Sequence, residues 1–146
     1  MNTKIRIRTK KELSIRKKEF LQICSILDKT GLIYFLNTGI LLGAIRENNF
    51  IKWDWDVEIS ATSDQLYKKF DLILKNLKKN GFKIIQKDKK KESLKIDFYG
   101  VCSKDTTRYT IFSWNYSPEK KIYWRKDKII PSKFLSKFSK IIFFGR

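Results

Sequence analysis

Trp53-Asp54-Trp55-Asp56-Val57-Glu58-Ile59 alternates apolar and acidic side chains without a break. Alternation with a period of two predicts a β-strand with one face buried and the other open. The buried face would hold Trp53, Trp55, Val57 and Ile59, and the open face Asp54, Asp56 and Glu58. Neighbouring side chains on one face of a strand lie ~7 Å apart, near enough for like charges to repel. A divalent cation relieves that repulsion, because Mg²⁺ takes one or two protein carboxylates and fills its shell with water and phosphate oxygens. The plain alternative is a solvated acidic edge that discourages strand pairing. With 15 acidic residues against 33 basic ones, three acids this close reverse the local sign. The apolar face is also heavier than an edge strand needs, so the carboxylates read as functional.

The flanking sequence supplies the frame. Thr9-Lys10-Lys11-Glu12 has the form of a capping box, opening a helix with Phe20, Ile23, Cys24 and Leu27 on one stripe and an end near Gly31. Leu32 to Leu36 predicts a short buried strand running into Asn37-Thr38-Gly39. Ile40 to Arg46 reads as helical, and a turn at Asn48-Asn49 leads into the acidic strand. A second capping box, Thr62 to Gln65, opens a helix whose Leu66, Phe70, Ile73 and Leu77 recur at helical spacing, closed by Asn80-Gly81. Phe82 to Gln86 and Ser93 to Tyr99 predict strands joined by a lysine-rich turn. In the second of these, Leu94, Ile96 and Phe98 share one face, and Lys95, Asp97 and Tyr99 the other. Arg108 to Trp114 predicts a further strand. Past Pro118 the sequence is aromatic and basic, with a short helix near Lys133 to Ser139.

These elements predict a single α+β domain with a mixed β-sheet flanked by α-helices. Its parts are an N-terminal helix over about 10–30, a core over about 32–115 and a weakly defined extension over 116–146. At 146 residues the chain is long enough to bury a core, and 42% hydrophobic with 14% aromatic content argues against disorder. The net charge of +18 attracts polyanions, phosphorylated ligands or an anionic membrane surface. Its lysine bias fits an AT-rich genome equally well. There is no histidine, which excludes His general bases, His-ligated zinc and the Ser-His-Asp triad. Cys24 and Cys102 have no CxxC spacing and read as buried, reduced thiols of a cytoplasmic protein. No apolar run approaches a membrane span and no signal peptide is visible, so a peripheral contact is the only membrane role expected.

Three features would form a site if the fold joins them. Thr38-Gly39, between a strand and a helix, offers amides to a phosphate; an ordinary helix start is an equal reading. Asp56 and Glu58 project from one side of a strand. Asp97 adds a carboxylate from another open face, or else serves as a surface partner for a lysine. Carboxylate-held cations could bridge a nucleotide's phosphates and activate an attacking group. Phosphoryl-type transfer needs positioning and charge neutralisation above all, and no histidine.

Gly39-Ile40-Leu41-Leu42-Gly43-Ala44-Ile45-Arg46, followed by Phe50-Ile51-Lys52-Trp53-Asp54-Trp55-Asp56-Val57-Glu58-Ile59, resembles the LicD/fukutin family of the nucleotidyltransferase-fold superfamily. Members typically read G-G-T-L-L-G-A-x-R, then F-I-P-W-D-D-D-I-D-I. The similarity covers roughly residues 15 to 100 and is specific through 39 to 59. Asp56-Val57-Glu58-Ile59 also matches the superfamily's D-h-[DE]-h metal signature, where h is hydrophobic, and Asp97 resembles its third carboxylate. The resemblance implies a nucleotidyltransferase-like fold and a transferase using Mg²⁺ (or Mn²⁺). The metal would be held by Asp56, Glu58 and Asp97, with Asp54 a further candidate. It further implies that Thr38 and Gly39 contact nucleotide phosphates. Arg46 would neutralise phosphate, or else pair with Asp54. Known bacterial members move phosphocholine from CDP-choline onto a glycan such as lipopolysaccharide or teichoic acid, and eukaryotic relatives use CDP-ribitol. A CDP-activated donor and a glycan or lipid-linked glycan acceptor are the expected partners.

The sequence departs from that pattern in places. Ile40 replaces a threonine, Thr38 the first glycine, Lys52 a proline and Trp55 the central aspartate, while Glu58 lengthens a ligand arm. Members normally continue past the point where Phe144-Gly145-Arg146 ends this chain, so a minimal, truncated or degenerate member is expected. Trp114, Tyr116, Tyr123 and Trp124 suggest a cage for a quaternary ammonium, but core packing is the stronger reading. Two alternatives stand beside the first reading. One is a nucleotidyltransferase acting on a sugar, an antibiotic or RNA. The other is a non-catalytic basic nucleic-acid-binding domain.

Overall fold

The computed structural model describes residues 7–36, 43, 49–51, 56–100, 107–126 and 128–132. Helix α1 (Lys10–Thr30) opens with the expected capping box. The Thr9 hydroxyl accepts from the Glu12 amide at 3.2 Å, and the Glu12 carboxylate accepts from the Thr9 amide at 3.3 Å. The helix ends at Gly31, whose φ of 76° lies in the left-handed region that glycine enters without strain. Strands β1 (Tyr34–Leu36) and β2 (Asp56–Thr62) follow, then helix α2 (Ser63–Lys79). The chain continues through β3 (Lys83–Asp88), β4 (Lys95–Tyr99), β5 (Arg108–Ser117), β6 (Ile122–Arg125) and β7 (Lys128–Pro131).

The strands form one sheet in the order β1-β2-β5-β4-β3, with β6 paired to the far end of β5 and β7 paired to β6. β2 and β5 run parallel and every other pair is antiparallel. A parallel pair needs a long crossover, which α2, β3 and β4 provide here. Mixed pairing with helices on the sheet is the α+β class the sequence predicts.

Strand alternation divides the sheet chemically. Val57, Ile59 and Ala61 of β2, Ile96 and Phe98 of β4, and Tyr109 and Ile111 of β5 are buried in one cluster with both helices. Leu66, Phe70, Ile73 and Leu77 of α2 enter it at the predicted spacing, as do Phe20, Ile23, Cys24 and Leu27 of α1. Each such side chain contributes about 1.5–3 kcal/mol when fully buried. α1 also brings Arg16 and Glu19 into this layer, where Glu19 accepts from the Tyr109 hydroxyl at 2.9 Å and Arg16 Nε donates to Thr107 at 3.0 Å. The other face of the sheet carries the residues of the site.

Two expectations are corrected. Thr62 precedes α2, but its side chain makes no capping hydrogen bond, because Thr62 is still the last ladder residue of β2, opposite Trp114. The next hydroxyl, Ser63, donates instead to the Trp114 carbonyl at 3.0 Å. Past Pro118, β6 and β7 pair as a hairpin where the sequence predicted no strand. Apart from Gly43, the helix expected over 40–46 lies outside the described residues, as do the helix expected over 133–139, the first residues of the acidic strand and Cys102. Cys24 is buried and in no disulfide, as expected. Among the described residues, no helix is long and apolar enough to cross a membrane.

Candidate active site

The ladder registers build the site. Asp97 of β4, Thr110 of β5 and Glu58 of β2 stand in one row, and Tyr99, Arg108 and Asp56 in the next. Residues paired across strands point the same way, and positions two apart on a strand share that side. Both rows therefore open on the face away from the helices. Neighbouring strands lie ~4.8 Å apart, so the Glu58 and Asp97 backbones stand ~10 Å apart with Thr110 between them. The three expected carboxylates thus share one face of three adjacent strands.

Their surroundings differ. The Asp97 side chain is fully buried. Its Oδ1 accepts from the Thr110 hydroxyl at 2.6 Å, and its Oδ2 from Arg108 Nη2 at 2.6 Å and Lys95 Nζ at 3.2 Å. Burial pushes the Asp97 carboxyl up, but the bonds from Thr110, Arg108 and Lys95 outweigh it and hold its pKa below the usual carboxylate value. The hydrogen bond to Asp97 raises the Arg108 pKa against desolvation, with a further contribution from the Asp56 charge. Asp56 and Glu58 are half-buried. The lysine-partner reading of Asp97 is thus present in the geometry, through Lys95, and is not a surface pair.

A third cation completes the face. Arg125 ends β6 with its guanidinium carbon 4.2 Å from the centroid of the Phe112 ring. Tyr123 pairs with Tyr116 across the β5–β6 ladder, so alternation puts Arg125 on the side of Phe112 and Thr110. Burial lowers the Arg125 pKa, while Glu58 and Asp97 raise it, so both carboxylates act on this guanidinium. Among the described residues, Lys95, Arg108 and Arg125 are therefore interleaved with Asp56, Glu58 and Asp97.

Thr38, Gly39, Arg46 and Asp54 lie outside the described residues. β1 runs antiparallel to β2 and its last residue, Leu36, stands opposite Ile59, one position short of Glu58. The chain therefore leaves β1 at the level of the carboxylates. Lys95, Arg108, Thr110 and Arg125 were not singled out from sequence. Lys95 carried a local signal, two positions before Asp97 on the same face, whereas the others depend on long-range pairing.

The four aromatic residues do not converge on a cage, and core packing, the stronger reading, holds for only one of them. Trp114 is buried, with Nε1 donating to Ser60 at 3.2 Å, which bears out core packing for that residue. Tyr116 is 51% exposed, and its ring pairs with Tyr123 at 5.0 Å between centroids. Trp124, next to Tyr123 on β6, falls on the other side of the hairpin by alternation.

The oxygen-only donor set suits a hard divalent cation such as Mg²⁺ or Mn²⁺. Among the described residues, no group of three or more Asp, Glu or Cys side chains is gathered closely enough to hold an ion by itself. Mg²⁺ asks for only one or two protein carboxylates, and the neighbouring, half-buried Asp56 and Glu58 meet that requirement.

A family model described as LicD/FKTN/FKRP, nucleotidyltransferase domain, matches residues 31–146. The match takes in every strand, α2 and all the carboxylates of the site. A search among curated proteins finds no match to the chain.

Proposed function

Because the chain belongs to the LicD/FKTN/FKRP nucleotidyltransferase-domain family, a family of transferases, we propose that it moves a phosphorylated alcohol, phosphocholine or a similar group, from a CDP-activated donor to a cell-surface glycan. The observation that supports this most is the placement of Asp56, Glu58 and Asp97 on one face of β2, β5 and β4, ringed by cations.

Asp56 and Glu58 would hold Mg²⁺ or Mn²⁺. Asp97, held by Thr110, Arg108 and Lys95, would add its negative charge to the face beside the metal rather than a bond to it. The metal, when bound, supplies charge neutralisation at the donor's diphosphate. Thr38 and Gly39 would offer hydrogen bonds to the phosphates and Arg46 a positive charge, with Asp54 a further metal ligand. Arg108 fixes Asp97 and helps to hold its pKa below the usual carboxylate value. The acceptor hydroxyl attacks the phosphorus that bears the alcohol, the bond from that phosphorus to the CMP oxygen breaks, and the hydroxyl proton leaves to solvent. CMP is the second product. The acceptor would be a glycan or lipid-linked glycan reached from the cytoplasmic side, with the net charge of +18 favouring an anionic membrane surface.

The test is release of CMP from CDP-choline, CDP-ribitol and CDP-glycerol, with Mg²⁺ and an undecorated glycan acceptor. Metal-dependent CMP release from one donor, lost in Asp56→Ala, is expected. Equal inertness toward all three donors in wild type would sink the reading.

A further inference from the structure

Phe112 is buried one row from Thr110 on β5, between Ser60 of β2 and Lys95 of β4. Arg125 comes to it from β6, so the hairpin delivers a guanidinium to the carboxylate face from outside the five-strand ladder that builds it. A guanidinium over an aromatic ring is held by its face, while its N–H donors lie in plane at its edges. Among the described residues those donors make no hydrogen bond or ion pair, although Glu58 and Asp97 both act on the charge. A half-buried arginine with its planar fork so placed suits a doubly bonded anion such as a phosphate.

We infer that Arg125 binds the diphosphate of the donor, holding it against the Asp56, Glu58 and Asp97 face and selecting diphosphate-bearing ligands. The inference rests on the donor-site reading above and adds a residue from the C-terminal hairpin to it. Arg125 has a packing role as well, since its stem and guanidinium cover Phe112. The test must therefore separate anion binding from packing.

Isothermal titration of CDP and of inorganic pyrophosphate in Mg²⁺ does so, with wild type, Arg125→Gln and Arg125→Lys, each checked by thermal melting. A hydrogen bond to a charged group contributes enough that Arg125→Gln should weaken both ligands by about tenfold or more. Arg125→Lys, which restores the charge without the fork, should recover part of that loss. Wild-type CDP binding that Arg125→Gln leaves unchanged overturns this inference and leaves the donor site standing. A lysine variant as weak as the glutamine one, both melting early, also overturns it in favour of packing. Wild type that binds neither CDP nor pyrophosphate removes the donor site and this inference together.

Discussion

Arg108 Nη2 lies 2.6 Å from Asp97 Oδ2, although the ladder pairs Arg108 with Tyr99 and Asp97 with Thr110. The guanidinium reaches diagonally along β4 and β5 and ties the row of Asp56 to the row of Glu58. Lys95 meets the same Asp97 oxygen from two positions along β4. The fully buried carboxylate is thus held from both sides by partners that keep part of their surface in water.

Removing these partners should act cooperatively. Arg108→Met leaves Asp97 with Lys95 and Thr110 and should cost about 1–2 kcal/mol of folding stability. Combining it with Lys95→Met leaves a buried carboxylate with Thr110 as its one bonded partner and no cation bonded to it, and should cost about 3–5 kcal/mol. Urea denaturation of the two single variants and the double variant measures the coupling. Small, additive losses would contradict the account of Asp97.

Acid should remove the same stabilisation. The folded pKa of Asp97 is held below its ordinary value, so its contribution is present above the unfolded value of about 3.9. It is lost as pH falls from there through the lower folded value. Denaturation midpoints between pH 6 and pH 2 should fall more gently in Asp97→Asn than in wild type, whose slope includes this proton uptake. Parallel profiles would contradict it.

Alkali acts on the opposite face of the sheet. Burial, reinforced by the Glu19 charge and hydrogen bond, pushes the Tyr109 phenol well above its ordinary value. Its contribution is complete below the unfolded pKa of about 10 and declines as pH rises beyond it. Tyr109→Phe should flatten the loss of stability above pH 10, read from melting temperatures across that range. A steep loss preserved in the variant would assign the alkaline transition to other groups.

Gly43 supplies a backbone test within the family motif. A Cβ built there falls onto the Asn49 carbonyl, which belongs to the main chain and cannot rotate away. Gly43→Ala should cost about 1–3 kcal/mol, in the range of overpacking substitutions, and should weaken nucleotide binding by shifting the segment that leads to Asp56. Unchanged melting and CDP affinity would show that the close approach is unimportant.

Much of this was legible in the sequence where the signal is local. The Thr9 capping box, the α2 stripe from Leu66 to Leu77 and the alternation of Val57, Glu58 and Ile59 each declare their element within a few residues. Thr62 misled because a capping-box pattern does not reveal that the same residue still closes a strand ladder against Trp114. The β6–β7 hairpin escaped because the β5–β6 turn uses Lys121 at φ 51° and its own turn Lys126 at φ 54°, where hairpin signals look for Gly, Asn or Asp. The carboxylates were found by spacing and resemblance. Their cations were not, because Arg108 meets Asp97, and Arg125 meets Phe112, only after long-range strand pairing.

The most direct measurement is Mn²⁺ binding followed by electron paramagnetic resonance, with and without CDP, in wild type, Asp56→Asn and Glu58→Gln. Wild type should bind Mn²⁺ and bind it more tightly with CDP. Both variants should lose that binding while keeping the wild-type fold, checked by circular dichroism. Mn²⁺ and CDP affinities that survive Asp56→Asn unchanged would contradict the claim that these strand carboxylates form the metal site.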